Sequence, residues 1–542
     1  MFKILFDHLN RGLIINFLNY NIQLTDYSLT TTTQNYLFVY CMERYKDISN
    51  DDNKFKTFEN FQSIEIENNS QPLSYWRTNY SYIVDSVNAD FSIRSDSTIF
   101  NSLIHFQHAL RDNGPPPLDF VIGDDVFSFF LQFLLHSENI DFKIKCICII
   151  DYFITYCDQN HNELLINTIS KNFLEVTLQL LMNETVMNDP QYYIIVYNIT
   201  KLYKTCCYYS ENFLYELLHT NFLRLFALPF ISNFSLDVII SLPVDEHNTI
   251  STAFINIVII CGHYLIAPES VDDNITEYIM QLFSYLLRLE NQRVTTRVCD
   301  TIKSVWAKQN SFPTILFENN FFELLWNVSV KQLSPSAMDI LAQGLIVENL
   351  DKHVSSFIVI DDLISIFDET LNNLNTQKSF IDDEQKSLYE SLVEATLGLI
   401  ANYISFLGGL PANKTSSDMR VIVEKTFEYG NYHSKNCAAF LMLLVMSKGN
   451  FSKFDFEYEH DFIEQFFASL ASGSDDVINK ALEVFTEFLE KSVKLGYQFS
   501  QSFFLGCQVP EFFEEVVEMN HQIFSSIASN LLEIYYTDNE DG

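Results

Sequence analysis

The sequence predicts an all-α fold, a right-handed α-solenoid, and three observations predict it. Gly and Pro are scarce, 14 and 12 among 542 residues, so turns are few, while apolar residues make up 48% of the chain and fall in long runs. Those runs repeat apolar side chains at three- and four-residue spacing, the pattern of helices that each bury one face. From about residue 96 a single unit then recurs: a long apolar helix, a polar break, a short apolar helix and an aromatic-rich helix.

The recurrence is visible when FKIKCICIIDYFITYC and NELLINTISKNFLEVTLQLL are set beside YYIIVYNITKLYKTCC and NFLYELLHTNFLRLFALPF. A small residue inside the long helix fixes the period, because Cys299 and Ala342 lie 43 residues apart, as do Ala395 and Ala438, and Ala438 and Ala481. A period near 43 is that of armadillo and HEAT repeats, in which no unit buries its apolar face alone and each stacks on the next. About nine units fit over residues 96–537. They follow an N-terminal extension, 1–95, expected to be partly disordered, and precede a short acidic tail, 538–542. Residues 1–41 differ in character from the polar stretch that begins at Met42, so a true start at Met42 rather than Met1 is an open alternative.

The first unit opens at a hard stop. In RDNGPPPLDFVIGDDVFSFFLQFLL, Pro115, Pro116 and Pro117 end the helix near Arg111, since proline lacks the amide hydrogen and disfavours helix in the residue before it. A short helix, LDFVI, and a longer one follow, the latter with Val126, Phe129, Phe130, Phe133 and Leu134 on one apolar face. Farther along, AFINIVIICGHYLIA at 253–267 is too short for a membrane span and contains Asn256, Gly262 and His263, so a buried core helix is expected. The N-terminal segment lacks a small-residue cleavage site, and no secretory signal is expected.

Formal charge is −37, from 70 acidic against 33 basic side chains, which disfavours nucleic acid and anionic lipid as partners and favours a basic peptide. Ten cysteines without a C-x-x-C pair, most inside apolar runs, read as small buried hydrophobes of a reducing compartment. No catalytic motif stands. GGLPANKT, residues 408–415, lacks the second glycine of a phosphate loop, carrying Asn413 there, and follows a helix rather than a strand. His105 and His108 sit one turn apart without a third ligand, and carboxylate runs at 382–385, 456–462 and 511–519 read as solvated faces. Neither metal nor cofactor is expected, and an enzyme is disfavoured because solenoids supply long surfaces rather than closed pockets.

The segment IHFQHALRDNGPPPLDFVIGDDVFSFFLQFL resembles the first armadillo repeat of the importin-α family, where an R-x-x-x-P-P-I-D-x-V-I run joins two helices. The matching residues are Arg111, Pro116, Pro117, Leu118, Asp119, Val121 and Ile122, and the likeness continues in register to about residue 230. The resemblance implies an adaptor that binds basic nuclear localisation segments in a groove along the third helices of successive repeats, and that couples to importin-β-type transport machinery. Tryptophan and asparagine ladders build that groove in the family. Here the ladder positions fall at Ile147 and Asp151, and at Tyr197 and Lys201; a tyrosine can stack on a lysine stem, whereas Lys201 would repel a basic ligand. WAKQN, Trp306 to Asn310, imitates one rung, and its distance to the next aromatic helix is too short for the role. The family's basic N-terminal arm is not retained.

Two functions are therefore expected: a diverged importin-α-like adaptor, cytoplasmic or nuclear, or an armadillo scaffold for an unrelated protein partner.

Overall fold

The computed structural model describes residues 71–448, apart from 89–90, 92–93, 95, 114–115, 157–158, 235–241, 268–271, 348 and 377–382, and then 509–518 with positions 466, 469, 525, 528–529 and 532. The expectations about Met1 and Met42, most of the extension, Pro115, Ala481, the run 456–462 and the acidic tail lie outside these residues. The described residues belong to one unit that runs from Ser70 onward.

Every regular element among them is helical. In order they are α1 Leu73–Val84, α2 Asp96–Asn113, α3 Leu118–Gly123, α4 Val126–His136, α5 Ile140–Tyr156, α6 Gln159–Leu181, α7 Glu184–Met187, α8 Tyr192–Tyr209 and α9 Glu211–His219. A π-helical turn, Leu223–Ala227, leads into α10 Leu228–Ser232, then α11 Val244–Ile266, α12 Asp273–Arg288, α13 Gln292–Lys308, α14 Phe312–Glu318 and α15 Phe321–Lys331. The series continues with α16 Pro335–Gly344, α17 Asp351–Ser355, α18 Ile360–Thr376, α19 Asp383–Leu407, α20 Ser416–Tyr429, α21 Tyr432–Lys448 and, later, α22 Val509–Glu518.

These helices stack in two layers, and the protein is an all-α solenoid. One layer is the row α2, α5, α8, α11, α13, α16, α19 and α21, in which each helix touches the next. The other holds α4, α6 and α9, and then α10, α12, α15, α18 and α20. Cys299, Ala342, Ala395 and Ala438 fall on α13, α16, α19 and α21, four consecutive members of the first row, one to a helix. The row packs closely at Gly262, where a Cβ would lie 2.7 Å from Thr301 Cγ2 on the next helix.

The solenoid starts earlier than residue 96. Helix α1 lies inside the segment expected to be extension, yet Trp76 is wholly buried, its ring edge-on to Phe106 at 6.2 Å and tilted on Phe120 at 6.5 Å. Arg77 reaches the first corner, donating from Nε to Asp124 Oδ2 at 2.7 Å and from Nη2 to Oδ1 at 2.9 Å. Polar residues between the aromatics of LSYWRTNYSYIV hide this helix from a composition reading.

The proline corner stands where expected: α2 ends at Asn113, Pro116 is buried and Pro117 caps α3 with extended backbone. Helix α4 differs from the single apolar face expected of it, since Phe127 and Leu131 are buried as well as Phe130 and Phe133. It is covered on a second side by α6, where Phe173 meets Phe127 at 6.2 Å. With glycine scarce, other corners use residues in the left-handed region. Asp125, Asn221 and Asn320 do so at φ 52°, 61° and 56° at the entries to α4, the π-turn and α15, as short polar side chains tolerate. Glu290 and Leu333, both at φ 52°, precede the N-caps Asn291 and Ser334, whose side chains accept from Val294 and Ala337 amides.

The abundant aromatics make the core. Rings follow one another from Trp76 through Phe106, Phe130 and Phe153, and again from Phe127 through Phe173, Tyr203, Phe222, Phe226 and Phe230 to Phe254. Each such pair adds about 0.5–1.5 kcal/mol beyond burial of its area. Helix α11 is the one described helix long and apolar enough to cross a membrane, and it is mostly buried, between α8 and α13.

Candidate functional site

The surface with an extended, repeated character is the row α5, α8, α11 and α13, the counterpart of the third-helix row in the sequence reading. On α8 the half-buried and exposed side chains include Ile194, Tyr197, Lys201, Lys204 and Tyr208, at spacings of three and four, with Tyr193, Asn198, Thr205 and Tyr209 beside them. Tyr208 is the most open of them, 47% exposed.

Of the four residues expected to line a peptide groove, two, Ile147 and Asp151, are buried, and two, Tyr197 and Lys201, are half-buried. Ile147 is a core residue, 1% exposed, and offers nothing to a ligand. Asp151 is also buried, and both its carboxylate oxygens are engaged: Lys201 Nζ donates to Oδ2 at 2.8 Å and Thr155 Oγ1 to Oδ1 at 3.1 Å. Lys201 thus spends its charge on Asp151 across the joint between α5 and α8, rather than standing as a lone repulsive cation. Tyr197 is half-buried and packed against the core. The structure does bring Asp151 and Lys201 together, as an ion pair within the protein.

Trp306 likewise serves packing. Its ring is edge-on to Phe322 of α15 at 6.3 Å, and α13 ends at Lys308, so Asn310 lies beyond the helix instead of one turn along its face. The 408–415 stretch is an inter-helix loop: Gly408 turns at φ 66°, Asn413 donates to Asp361 at 3.0 Å, Lys414 pairs with Asp361, and Thr415 with Asp418 forms the capping box of α20. His105 and His108 are exposed on α2. Among the described residues no three His, Cys, Asp or Glu side chains are grouped to hold a metal ion. Cys146, Cys206, Cys207, Cys261 and Cys299 are free and buried, and burial pushes their thiols upward.

What the sequence reading missed is a cluster of cations. Helix α8 contains no carboxylate at all, only Lys201 and Lys204. Helix α13 carries Arg293, Arg297, Lys303 and Lys308 against Asp300 alone, and Asp300 Oδ1 accepts from Ser336 Oγ at 2.7 Å. Between them His263 sits near the C-terminus of α11, whose acidic residues Asp245 and Glu246 are in its first turn. Burial, and then the charges of Lys204, Lys308 and Arg297, hold the His263 imidazole below its usual value. Two helices, α8 and α13, therefore supply the cations that act on this histidine, in a chain whose acidic residues outnumber basic ones by two to one.

No protein-family model matches this sequence, and no curated protein matches it. Among solved structures, a chain from one described as "Kap95p Binding Induces the Switch Loops of RanGDP to adopt the GTP-bound Conformation: Implications for Nuclear Import Complex Assembly Dynamics" is similar, with 13% identity and a TM-score of 0.40. The match covers 90% of this chain and 60% of that one, so the chain spans less than two thirds of the structure it matches.

Proposed function

We propose that this chain is a protein-binding α-solenoid scaffold without catalytic activity of its own, working in the cytoplasm or nucleus. The observation that carries the reading is the unbroken row from α5 to α21, which presents a continuous surface several repeats long. A surface of this kind suits an extended protein segment far better than a small molecule. Affinity capture from the source cell with the full chain as bait, followed by mass spectrometry, tests it. Reproducible recovery of a protein partner is the expected result, and recovery of none overturns the reading.

A second reading is the importin-α-like adaptor. It is favoured by the corner at Arg111 to Ile122 and by the net charge of −37. Neutralisation of Asp151 by Lys201 and burial of Ile147 count against a basic segment lying in the first repeats. Recovery of importin-β in the same capture, and saturable binding of a Lys/Arg-rich localisation peptide in preference to a scrambled peptide of equal charge, would establish the adaptor over the scaffold.

A further inference from the structure

We infer that the groove between α4 and α6, in the second layer of helices, is the docking site for a short extended segment of a partner protein with an arginine at its centre. The inference rests on the scaffold reading and names both a place on the surface and the chemistry of what lies there.

Helices α4 and α6 are joined by the ring contact of Phe127 with Phe173 at 6.2 Å, and beside that joint lies a cavity of about 220 Å³. Its apolar lining includes Leu131 from α4 and Val176 from α6, only 4% and 6% exposed. Five exposed polar side chains share the cavity, Ser128 and Gln132 on α4 and Asn172, Glu175 and Gln179 on α6. None of the five has a side-chain hydrogen bond or ion pair among the described residues. Other joints of this layer are closed by direct polar contact. Ser210 Oγ at the start of α9 donates to Asn167 Oδ1 of α6 at 2.7 Å, and Lys425 Nζ of α20 to Asp368 Oδ1 of α18 at 2.6 Å. Between α4 and α6 the facing polar groups converge on a cavity instead, above an apolar surface, which is the make-up of a recognition site.

The lining decides the class of ligand. The volume is below the roughly 300 Å³ at which pockets for cofactors and drug-sized molecules begin, and no aromatic ring in the lining offers a face to a flat heterocycle. From Asn172 to Gln179 the groove follows α6 for about 10 Å, at about 1.5 Å per residue, which is the length of about three extended residues. The amides of Gln132, Asn172 and Gln179 each offer a carbonyl acceptor and NH₂ donors, the complement of a peptide backbone. The charge in the lining is the Glu175 carboxylate, and Lys171, one turn before it on α6, forms no ion pair with it. A cation is therefore favoured over an anion, as it is by the acidic excess of the whole chain. Guanidinium suits the place better than ammonium, because its planar fork of five donors can bond the carboxylate and neighbouring amide oxygens together. Its aliphatic stem can lie along Leu131 and Val176.

The test is a ligand-observed NMR titration of the full chain with a blocked pentapeptide of four alanines around a central arginine, at about physiological salt, where remote acidic residues are screened beyond about 8 Å. The same peptide with lysine, citrulline or glutamate at its centre serves as comparator. Saturable binding of the arginine peptide is expected, about threefold or more tighter than the lysine peptide and about tenfold or more tighter than the other two. Glu175→Gln should weaken it about fivefold, and Ser128→Trp, which fills the groove and leaves its charge, about tenfold or more. The same charge change at the exposed Glu323 of α15 should leave it unaltered. If Ser128→Trp lowers the melting temperature, Gln132→Lys replaces it, setting a cation where the guanidinium would lie, and the same tenfold weakening is then required. No saturable binding, binding of the lysine or citrulline peptide as tight as that of the arginine peptide, tighter binding of the glutamate peptide, or equal binding by wild type and groove variants overturns the inference. Each of those outcomes leaves the scaffold reading standing, since that reading is decided by the capture experiment.

Discussion

Lys201 Nζ lies 2.8 Å from Asp151 Oδ2, and through that contact the third-helix row of one repeat is fastened to that of the next. The carboxylate is nearly buried and the ammonium is about a quarter exposed, so removing the lysine strands a charge in a poor solvent. Lys201→Met should cost about 1–3 kcal/mol in urea unfolding, and Asp151→Asn less. The double variant should be more stable than the sum of the two losses implies, a coupling that a double-mutant cycle reads directly.

Gly262 and Thr301 set the distance between α11 and α13. Because a Cβ at position 262 would lie 2.7 Å from Thr301 Cγ2, Gly262→Ala should destabilise by about 1–3 kcal/mol despite its gain in helix propensity. Thr301→Ser removes that methyl group and keeps the hydroxyl. Most of the loss should be recovered in Gly262→Ala with Thr301→Ser, measured by thermal melting.

His263 titrates below its ordinary value in the folded protein, so between the folded value and about 6.5 the unfolded chain binds the extra proton. Stability therefore falls as pH drops through about 6.5 toward the folded value. In His263→Gln the slope across that window should be shallower by up to about 1.4 kcal/mol per pH unit. Urea midpoints at pH 7.5, 6.5 and 5.5 for both proteins check the sign.

Lys143 is only 4% exposed and donates to the Leu134 carbonyl at the end of α4. Burial brings its ammonium down to about 8, against about 10.4 in an unfolded chain. Between those values the unfolded chain holds more protons, so stability should rise with pH across that window. Lys143→Met should abolish the rise and add about 1–3 kcal/mol at pH 7, because it removes a buried charge that has a carbonyl for a partner.

The row of stacked helices was legible because it is written in side-chain size: Cys299, Ala342, Ala395 and Ala438 fall one to a helix on four consecutive members. The stop at Pro116 and Pro117 was legible because proline acts locally, on itself and its predecessor. Helix α1 was not, since its burial depends on Phe106 and Phe120, which are distant in sequence. The ladder positions Ile147 and Lys201 fall on α5 and α8, but their rotation about the helix axis, and so their surroundings, follows from packing. The positive environment of His263 was the least visible, because Lys204, Arg297 and Lys308 are spread over more than two repeats. A local shortage of carboxylates in YYIIVYNITKLYKTCCYY and RVTTRVCDTIKSVWAK was the one sequence signal for it.

The bridges between repeats also make the array mechanically uneven. Asp151–Lys201, Lys303–Asp339 and Asp368–Lys425 pin the joints between α5 and α8, α13 and α16, and α18 and α20 with charge. The joints on either side of α11 are held by apolar packing, the tight seat of Gly262 on Thr301 and neutral hydrogen bonds, Asn291 Nδ2 to Ser251 Oγ at 2.8 Å and Asn256 Nδ2 to Thr200 Oγ1 at 3.5 Å. Raising salt from 0.1 to 1 M shortens the screening length from about 10 to about 3 Å, which slackens the charged joints while the apolar ones keep their grip. Under a bending load the α8–α11–α13 segment then behaves as a rigid beam between springs whose stiffness is set by the ionic strength of the surroundings.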